Sequence, residues 1–222
     1  MAGDPALIRP YQPADLDDLY RICVQTADNG QDATAFFGDP MLPGHVFAAP
    51  YAIFEPSLAW VAEDPAGVAG YVLGALDTRA FEERLERDWW PALRARYPDR
   101  RRLAGHPAEP ERLVLQGIHQ PFIADPALVS RYPSHLHIDL LPRLQGRGFG
   151  RGLIETLLAA LRANGSRGVH LHVGRANERA AGFYRHVGLT ELPADGARIF
   201  AMELADASPA DPGARGKARS AG

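Results

Sequence analysis

Apolar residues along this chain follow two periods, and the switches between them mark the elements. Residues 7–10 read as a short strand. Asp15 then stands where a cap belongs, ahead of Leu16, Leu19, Tyr20 and Cys23 at helical spacing. Residues 57–63 and 68–76 are rich in β-formers and flank Asp64-Pro65-Ala66-Gly67, a hairpin signature. A long amphipathic helix is predicted over 79–97, with Phe81, Leu85, Trp89 and Leu93 on one face, and Pro91 should kink or divide it. Residues 135–141 form a strand ended by Pro142. Leu153, Ile154, Leu157, Leu158 and Leu161 define a helix stopped by Asn164-Gly165. A strand over 169–173, a helix capped by Asn177 and running to Gly188, and a last strand over 197–204 complete the order.

Strands and helices in this succession predict an α/β (α+β) domain over residues 1–204. Two stretches lack a period, 27–56 and 101–134, and such segments in a compact domain are commonly functional. The first holds Phe36, Phe37, Phe47, Tyr51 and Phe54, which favour order. Residues 205–222 contain no apolar side chain larger than alanine and cannot offset chain entropy, so they are expected to be a disordered tail.

Composition narrows the function. The 27 acids and 24 bases among 222 residues give a net charge of -3, which argues against nucleic acid or anionic lipid as a partner. Cys23 is the single cysteine, which excludes an internal disulfide and a cysteine-built zinc site. No apolar run approaches the length of a membrane span, and the first ten residues are too polar for a signal peptide. A cytoplasmic protein is the simplest expectation.

The richest chemistry lies between Ile138 and Gly152, read as Ile138-Asp139-Leu140-Leu141-Pro142-Arg143-Leu144-Gln145-Gly146-Arg147-Gly148-Phe149-Gly150-Arg151-Gly152. A strand ends, alternating glycines turn the chain, and a helix begins. Glycines admit close backbone approach, and a helix N-terminus offers unpaired N–H groups and a positive dipole end, so the segment suits a phosphate. Arg147 and Arg151 add charge, with Arg143 nearby. The Walker pattern fails for want of a lysine, since Lys217 is the only one in the chain. The dinucleotide fingerprint fails on spacing. Gln-x-x-Gly-x-Gly, carried by Gln145, Gly148 and Gly150, does fit.

That hexapeptide resembles the pyrophosphate signature of the GCN5-related N-acetyltransferases, the GNAT family. Ile8-Arg9-Pro10 ahead of a polar stretch, and Asn177-x-x-Ala180 followed by Phe183-Tyr184 and Gly188-Leu189, are similar to that family's opening and late motifs. A narrower likeness is to the acetyltransferase-like domain that ends O-GlcNAc hydrolases and to its free-standing bacterial relatives. It is carried by His135-x-His137-Ile138-Asp139, by 162–168 and by Phe183-Tyr184. The resemblance covers about 7–204 and implies a GNAT fold: a mixed sheet with a bulged, splayed parallel strand pair, flanked by helices. Residues 77–134 would be a helical insertion.

The resemblance also implies acetyl-CoA as cosubstrate and an amine as acceptor. Ile138, Asp139, Leu140 and Leu141 would meet the pantetheine arm, with Asn177 facing it. Gln145, Gly146, Arg147, Gly148, Phe149, Gly150 and Arg151 would form the pyrophosphate site. Tyr184 would face the thioester and protonate the departing thiolate. An amine with a pKa near 10.4 leaves about one molecule in a thousand nucleophilic near neutral pH, a deficit of about 4 kcal/mol, so a base is required.

The chain departs from the family here. The usual base positions fall near Ser134 and Leu136, neither of which accepts protons well. Asp139 is the nearest carboxylate, on the face shared by His135 and His137, and is the candidate base; the alternative is a structural carboxylate holding His137. The absent glutamate keeps a second reading open, an acetyl-CoA-binding module with little or no transferase activity. His135/His137 and His170/His172 lie on neighbouring strands and are read as hydrogen-bonded neutral side chains rather than a metal site. His45, His106 and His119, in loops, are candidates to face the acceptor. Trp89-Trp90 is read as an anchor for the long helix, with an acceptor wall or a homodimer surface as the alternative.

Overall fold

The computed structural model describes residues 6–99 and 109–204. Among the described residues seven strands form one sheet in the order β1-β2-β3-β4-β5-β7-β6. They are β1 (Leu7–Pro10), β2 (Ala59–Asp64), β3 (Gly67–Ala75), β4 (Ser134–Leu140), β5 (Gly168–Val173), β6 (Thr190–Leu192) and β7 (Arg198–Glu203). Only the β4–β5 pair is parallel; every other neighbouring pair is antiparallel. This is the mixed α/β architecture that the order of elements predicts. Strand β6 is an addition, a three-residue edge strand paired with β7.

β3 is buried along nearly its whole length, as a strand covered on both faces must be. Its glycines allow close packing. A Cβ on Gly70 would stand 2.1 Å from Leu140, and one on Gly74 would stand 2.7 Å from Leu157. Leu157 belongs to α8 (Phe149–Ala163), which lays Leu153, Ile154, Leu157, Leu158 and Leu161 against the sheet, all buried in the main core. α1 (Leu16–Val24) adds Leu19, Ile22 and Cys23 to the same core.

Asp15 does not cap α1 with its side chain as expected. Its carboxylate accepts from Arg9 at 2.7 and 2.8 Å and from the Gln12 amide at 2.8 Å, closing the short 3-10 turn ahead of the helix. The nearby guanidinium competes for the oxygen atoms that a cap would use.

The described parts of the two aperiodic stretches contain short helices. The first folds as α2 (Leu42–Phe47) and α3 (Ala49–Phe54), with a proline in the first turn of each, where a missing N–H costs nothing. The long helix divides at Pro91 into α4 (Thr78–Asp88) and α5 (Trp90–Arg96). The described part of the second stretch contains α6 (Glu109–His119) and α7 (Pro126–Arg131), the latter capped by Asp125, whose carboxylate accepts from the Ala127 amide at 2.7 Å. Helices α2, α4, α5 and α6 enclose a second core containing Leu42, Phe81, Leu85, Trp90, Leu93, Leu115 and Ile118. Trp90 is buried there and the Trp89 indole N–H donates to the His45 carbonyl at 2.8 Å, which matches the anchor reading.

α9 (Glu178–His186) follows β5, and Asn177 caps it by accepting from the Ala180 amide at 3.0 Å. Among the described residues no helix is long and apolar enough to cross a membrane. The expectations for the first five residues, for His106 and for the tail over 205–222 lie outside the described residues.

Candidate active site

β4 organises the site because it changes partners along its length. Against β3 it pairs regularly from Ala75↔His135 to Gly70↔Leu140, with no register shift. Against β5 the pairing covers only Ser134↔Val169 and His135↔His170. Beyond that point the parallel strands separate, so the edge of β4 toward Ile138 and Leu140 is left without a strand partner. Backbone donors and acceptors in such a gap need a ligand or water.

The gap leads into the glycine turn. Leu141 anchors to β3 through its amide, bonded to the Ala69 carbonyl at 2.7 Å, and 142–144 form a 3-10 turn. Gly146 and Gly148 take φ of +69° and +87°, a region closed to most side chains, and nothing lies within 4 Å of where their Cβ atoms would be. Gly148 is the N-cap of α8. The first helical amide with an ordinary backbone bond is that of Gly152, to the Gly148 carbonyl at 3.0 Å. Among the described residues the amides from Gly146 to Arg151 make no such bond, so this end of α8 presents free N–H groups and the positive end of the helix dipole. Phe149 is partly exposed beside the Arg147 guanidinium, 5.8 Å from its ring. Gly150 lets α9 approach, since a Cβ there would touch the Phe183 ring at 3.2 Å.

Gln145 clamps this geometry. Its amide donates to the Leu140 carbonyl at 2.6 Å, and its side-chain oxygen accepts from Arg179 at the start of α9. Of the three arginines seen in the sequence, Arg143 is drawn away to Asp64 at 3.0 Å and to the Gly67 carbonyl. Arg147 and Arg151 remain at the turn, Arg151 bonded to His186 at 3.0 Å, and Arg179 joins them. Sequence reasoning missed Arg179, because no local pattern marks it.

Below the gap lies a polar floor. The buried Tyr71 of β3 donates its hydroxyl proton to Asp139 Oδ2 at 2.5 Å, and His137 Nε2 stands 3.0 Å from the same oxygen. Burial, with the charge of Asp139, holds the Tyr71 proton far above its ordinary range. Cys23 lies beside them, its thiol pushed up by burial and by Asp139. Sequence reasoning put His135, His137 and Asp139 on one face but missed Tyr71, which is 68 residues away.

The remaining candidates divide sharply. His135 is committed on both sides, with Nδ1 2.8 Å from Thr78 Oγ1 and Nε2 2.9 Å from the Tyr51 hydroxyl. Burial pushes it down to about 3. His170 bonds the Tyr132 carbonyl through Nδ1 at 2.8 Å and is pushed down by burial to about 4. Both are neutral, hydrogen-bonded histidines. His45 and His119 sit in helices rather than loops, bonded to Tyr20 and to the Tyr97 carbonyl. Ser134 and Leu136, at the usual base positions, are buried. Tyr184 is buried between Phe183 and Phe200, and among the described residues its hydroxyl makes no hydrogen bond. Burial and then the charge of Asp139 hold its proton well above the ordinary phenol range.

Comparison with known proteins agrees with this geometry. The model of the acetyltransferase (GNAT) family matches residues 126–189. The protein O-GlcNAcase of Rattus norvegicus is 27% identical over 187 residues, a match that takes 83% of this chain and 20% of the relative, and that of Mus musculus matches to the same extent. The chain thus spans about a fifth of the length of the curated relatives it matches. The crystal structure of SsHAT is 38% identical with a TM-score of 0.81, covering 91% of this chain and all of that one. A phosphinothricin acetyltransferase from Sinorhizobium meliloti, solved in complex with AcCoA, has a TM-score of 0.52 at 16% identity over 90% of this chain and 88% of its own, a likeness of fold alone.

Proposed function

This chain belongs to the acetyltransferase (GNAT) family, and on that footing we propose that it transfers acetyl from acetyl-CoA to an amine acceptor by direct attack. The observation that carries the reading is the gap between β4 and β5 opening onto the left-handed Gly146–Gly148 turn. A long, thin cosubstrate ending in a pyrophosphate needs both parts. The free edge of β4 toward Ile138 and Leu140 suits the amide-rich pantetheine arm, whereas the Leu141 amide is already bonded to the Ala69 carbonyl. The amides of Gly146 to Arg151, with the Arg147 and Arg151 side chains, suit the phosphates. Asn177 would offer the arm only its side-chain N–H, since its oxygen caps α9.

Tyr184 supports the chemistry of the leaving group. Burial keeps Tyr184 protonated, and its hydroxyl, with no partner among the described residues, is placed to donate a hydrogen bond to a departing thiolate. Asp139 and His137 are the basic groups on the opposite side. The single buried Cys23 suits a reducing, cytoplasmic setting.

A second reading has one observation in its favour. Ser134 is tied to the Leu76 carbonyl at 2.6 Å and to Ser166, and Leu136 is apolar, so neither usual position can act as base. A module that binds acetyl-CoA without transfer would look the same there. Calorimetry with acetyl-CoA and CoA tests both readings, and no heat at millimolar ligand sinks both. Turnover of acetyl-CoA across polyamines, peptides, aminoglycosides and amino sugars separates them. Binding without turnover leaves only the module.

A further inference from the structure

The geometry points to His137, rather than Asp139, as the base that takes the acceptor's proton, with Asp139 as the residue that positions it. This inference rests on the acetyl-transfer reading and adds a residue to it. The argument begins with one oxygen atom. Asp139 Oδ2 receives the Tyr71 hydroxyl proton at 2.5 Å and faces His137 Nε2 at 3.0 Å. An ionised carboxylate has no proton to give, so Nε2 must carry the hydrogen of the neutral imidazole. The lone pair then sits on Nδ1. Among the described residues Nδ1 makes no hydrogen bond, and it is not sealed from solvent, as His45 Nε2 is.

An imidazole with one nitrogen on a half-buried carboxylate and the other free is the arrangement of an oriented general base. The ring is held as well as its tautomer. It stacks on Phe47 at 5.9 Å and 27° and lies 5.8 Å from the Tyr71 ring. Exposure orders the pair in the same sense, since the His137 side chain is 30% exposed and that of Asp139 is 18%. Imidazole as a residue type is also better matched to neutral pH than a carboxylate. His135 and His170 have no comparable free nitrogen at the gap.

The proton balance is simple. The amine nitrogen forms a bond to the acetyl carbon, the carbon–sulfur bond breaks, and the amine's proton passes to His137 Nδ1. The departing thiolate accepts a hydrogen bond from Tyr184 and takes its proton from solvent, to which His137 returns the one it gained.

Cys23, His137 and Asp139 also place their ligand atoms within 4.8 Å of one another, a spacing that a metal ion accepts. The hydrogen bond that Tyr71 donates to Asp139, and the burial that holds the Cys23 thiol protonated, favour the hydrogen-bonded arrangement.

The test uses the full-length chain labelled with 15N-histidine, the His137 signals being assigned by their loss in His137→Gln. Two-bond proton–nitrogen spectra should show the Nε2–H tautomer in the wild type and a tautomer mixture in Asp139→Asn. The Nδ1–H tautomer, or a stoichiometric zinc ion on Nε2, overturns the assignment. In turnover with an accepted amine, His137→Ala should lose about 100-fold in kcat or more. Added imidazole should restore part of that loss, which a misfolded or merely structural variant would not allow. Full turnover in His137→Ala overturns this inference alone. Absence of acetyl-CoA binding by the wild type overturns the underlying reading instead. Binding without turnover of any amine overturns the base assignment together with the transferase.

Discussion

The Gln145 side-chain amide donates to the Leu140 carbonyl at 2.6 Å, so the turn that follows β4 is fastened to the strand's own last residue. That bond fixes the free edge of β4 relative to the amides at the start of α8. Replacing Gln145 by leucine removes it and frees Arg179. A neutral hydrogen bond contributes about 1 kcal/mol, so acetyl-CoA affinity should fall about fivefold with little change in fold stability. Calorimetry beside a thermal melt checks both halves. Unchanged affinity would mean that the turn needs no clamp.

Gly148 tests the turn itself. At φ +87° a valine is strained by about 1–2 kcal/mol, and its side chain would occupy the open space over the helix N-terminus. Gly148→Val should therefore weaken acetyl-CoA far more than Gln145→Leu does. Gly165→Val controls for strain alone, because Gly165 has φ +79° with open space around it at the far end of α8 from the turn. Equal affinity in the wild type and Gly148→Val would show that the phosphates bind elsewhere.

Tyr184→Phe separates packing from chemistry. The ring contacts with Phe183 and Phe200 remain, and the lost hydroxyl had no internal partner among the described residues. Stability and CoA affinity should hold, while kcat falls about 10- to 100-fold. A thermal melt, a binding isotherm and a turnover assay on one preparation suffice, and an undiminished kcat removes Tyr184 as the donor to the thiolate.

His135 and His170 make stability depend on pH. Burial pushes them down to about 3 and about 4, both below the ordinary histidine value. As pH falls the unfolded chain binds protons first, so stability is full above a pH of about 6.5 and declines below it toward the folded values. At about pH 5 the two together cost at most roughly 4 kcal/mol. Urea titrations at neutral pH and near pH 5 should show this loss. His170→Asn, which keeps a donor for the Tyr132 carbonyl, should halve it; an equal loss in the variant assigns the effect to other groups.

The strength of local signals decided what the sequence could tell. The leucines of α8, the break at Pro91 and the Asn177 cap are local patterns, and each appears in the fold. β6 spans three residues, too few for a period to emerge. α2 and α3 are short helices whose prolines read as breakers, although in the first turn they start helices. At the site, alternation along β4 placed His135, His137 and Asp139 together, and the glycine turn was legible from its spacing. Tyr71 was not, because its tie to Asp139 joins β3 to β4 across 68 residues. The capture of Arg143 by Asp64 is likewise a product of topology, since the hairpin comes near the turn only when the sheet assembles.

The two-pair ladder between β4 and β5 has a further consequence. The sheet is mechanically two half-sheets, β1 to β4 and β5 to β6, sewn together by a short seam at Ser134 and His135. The second core lies wholly in the half that precedes the seam. Mutational drift in those helices can therefore proceed without disturbing the strand register of the other half. A ligand in the opening would act as the missing stitches, and its binding should appear as slowed amide exchange in both half-sheets at once.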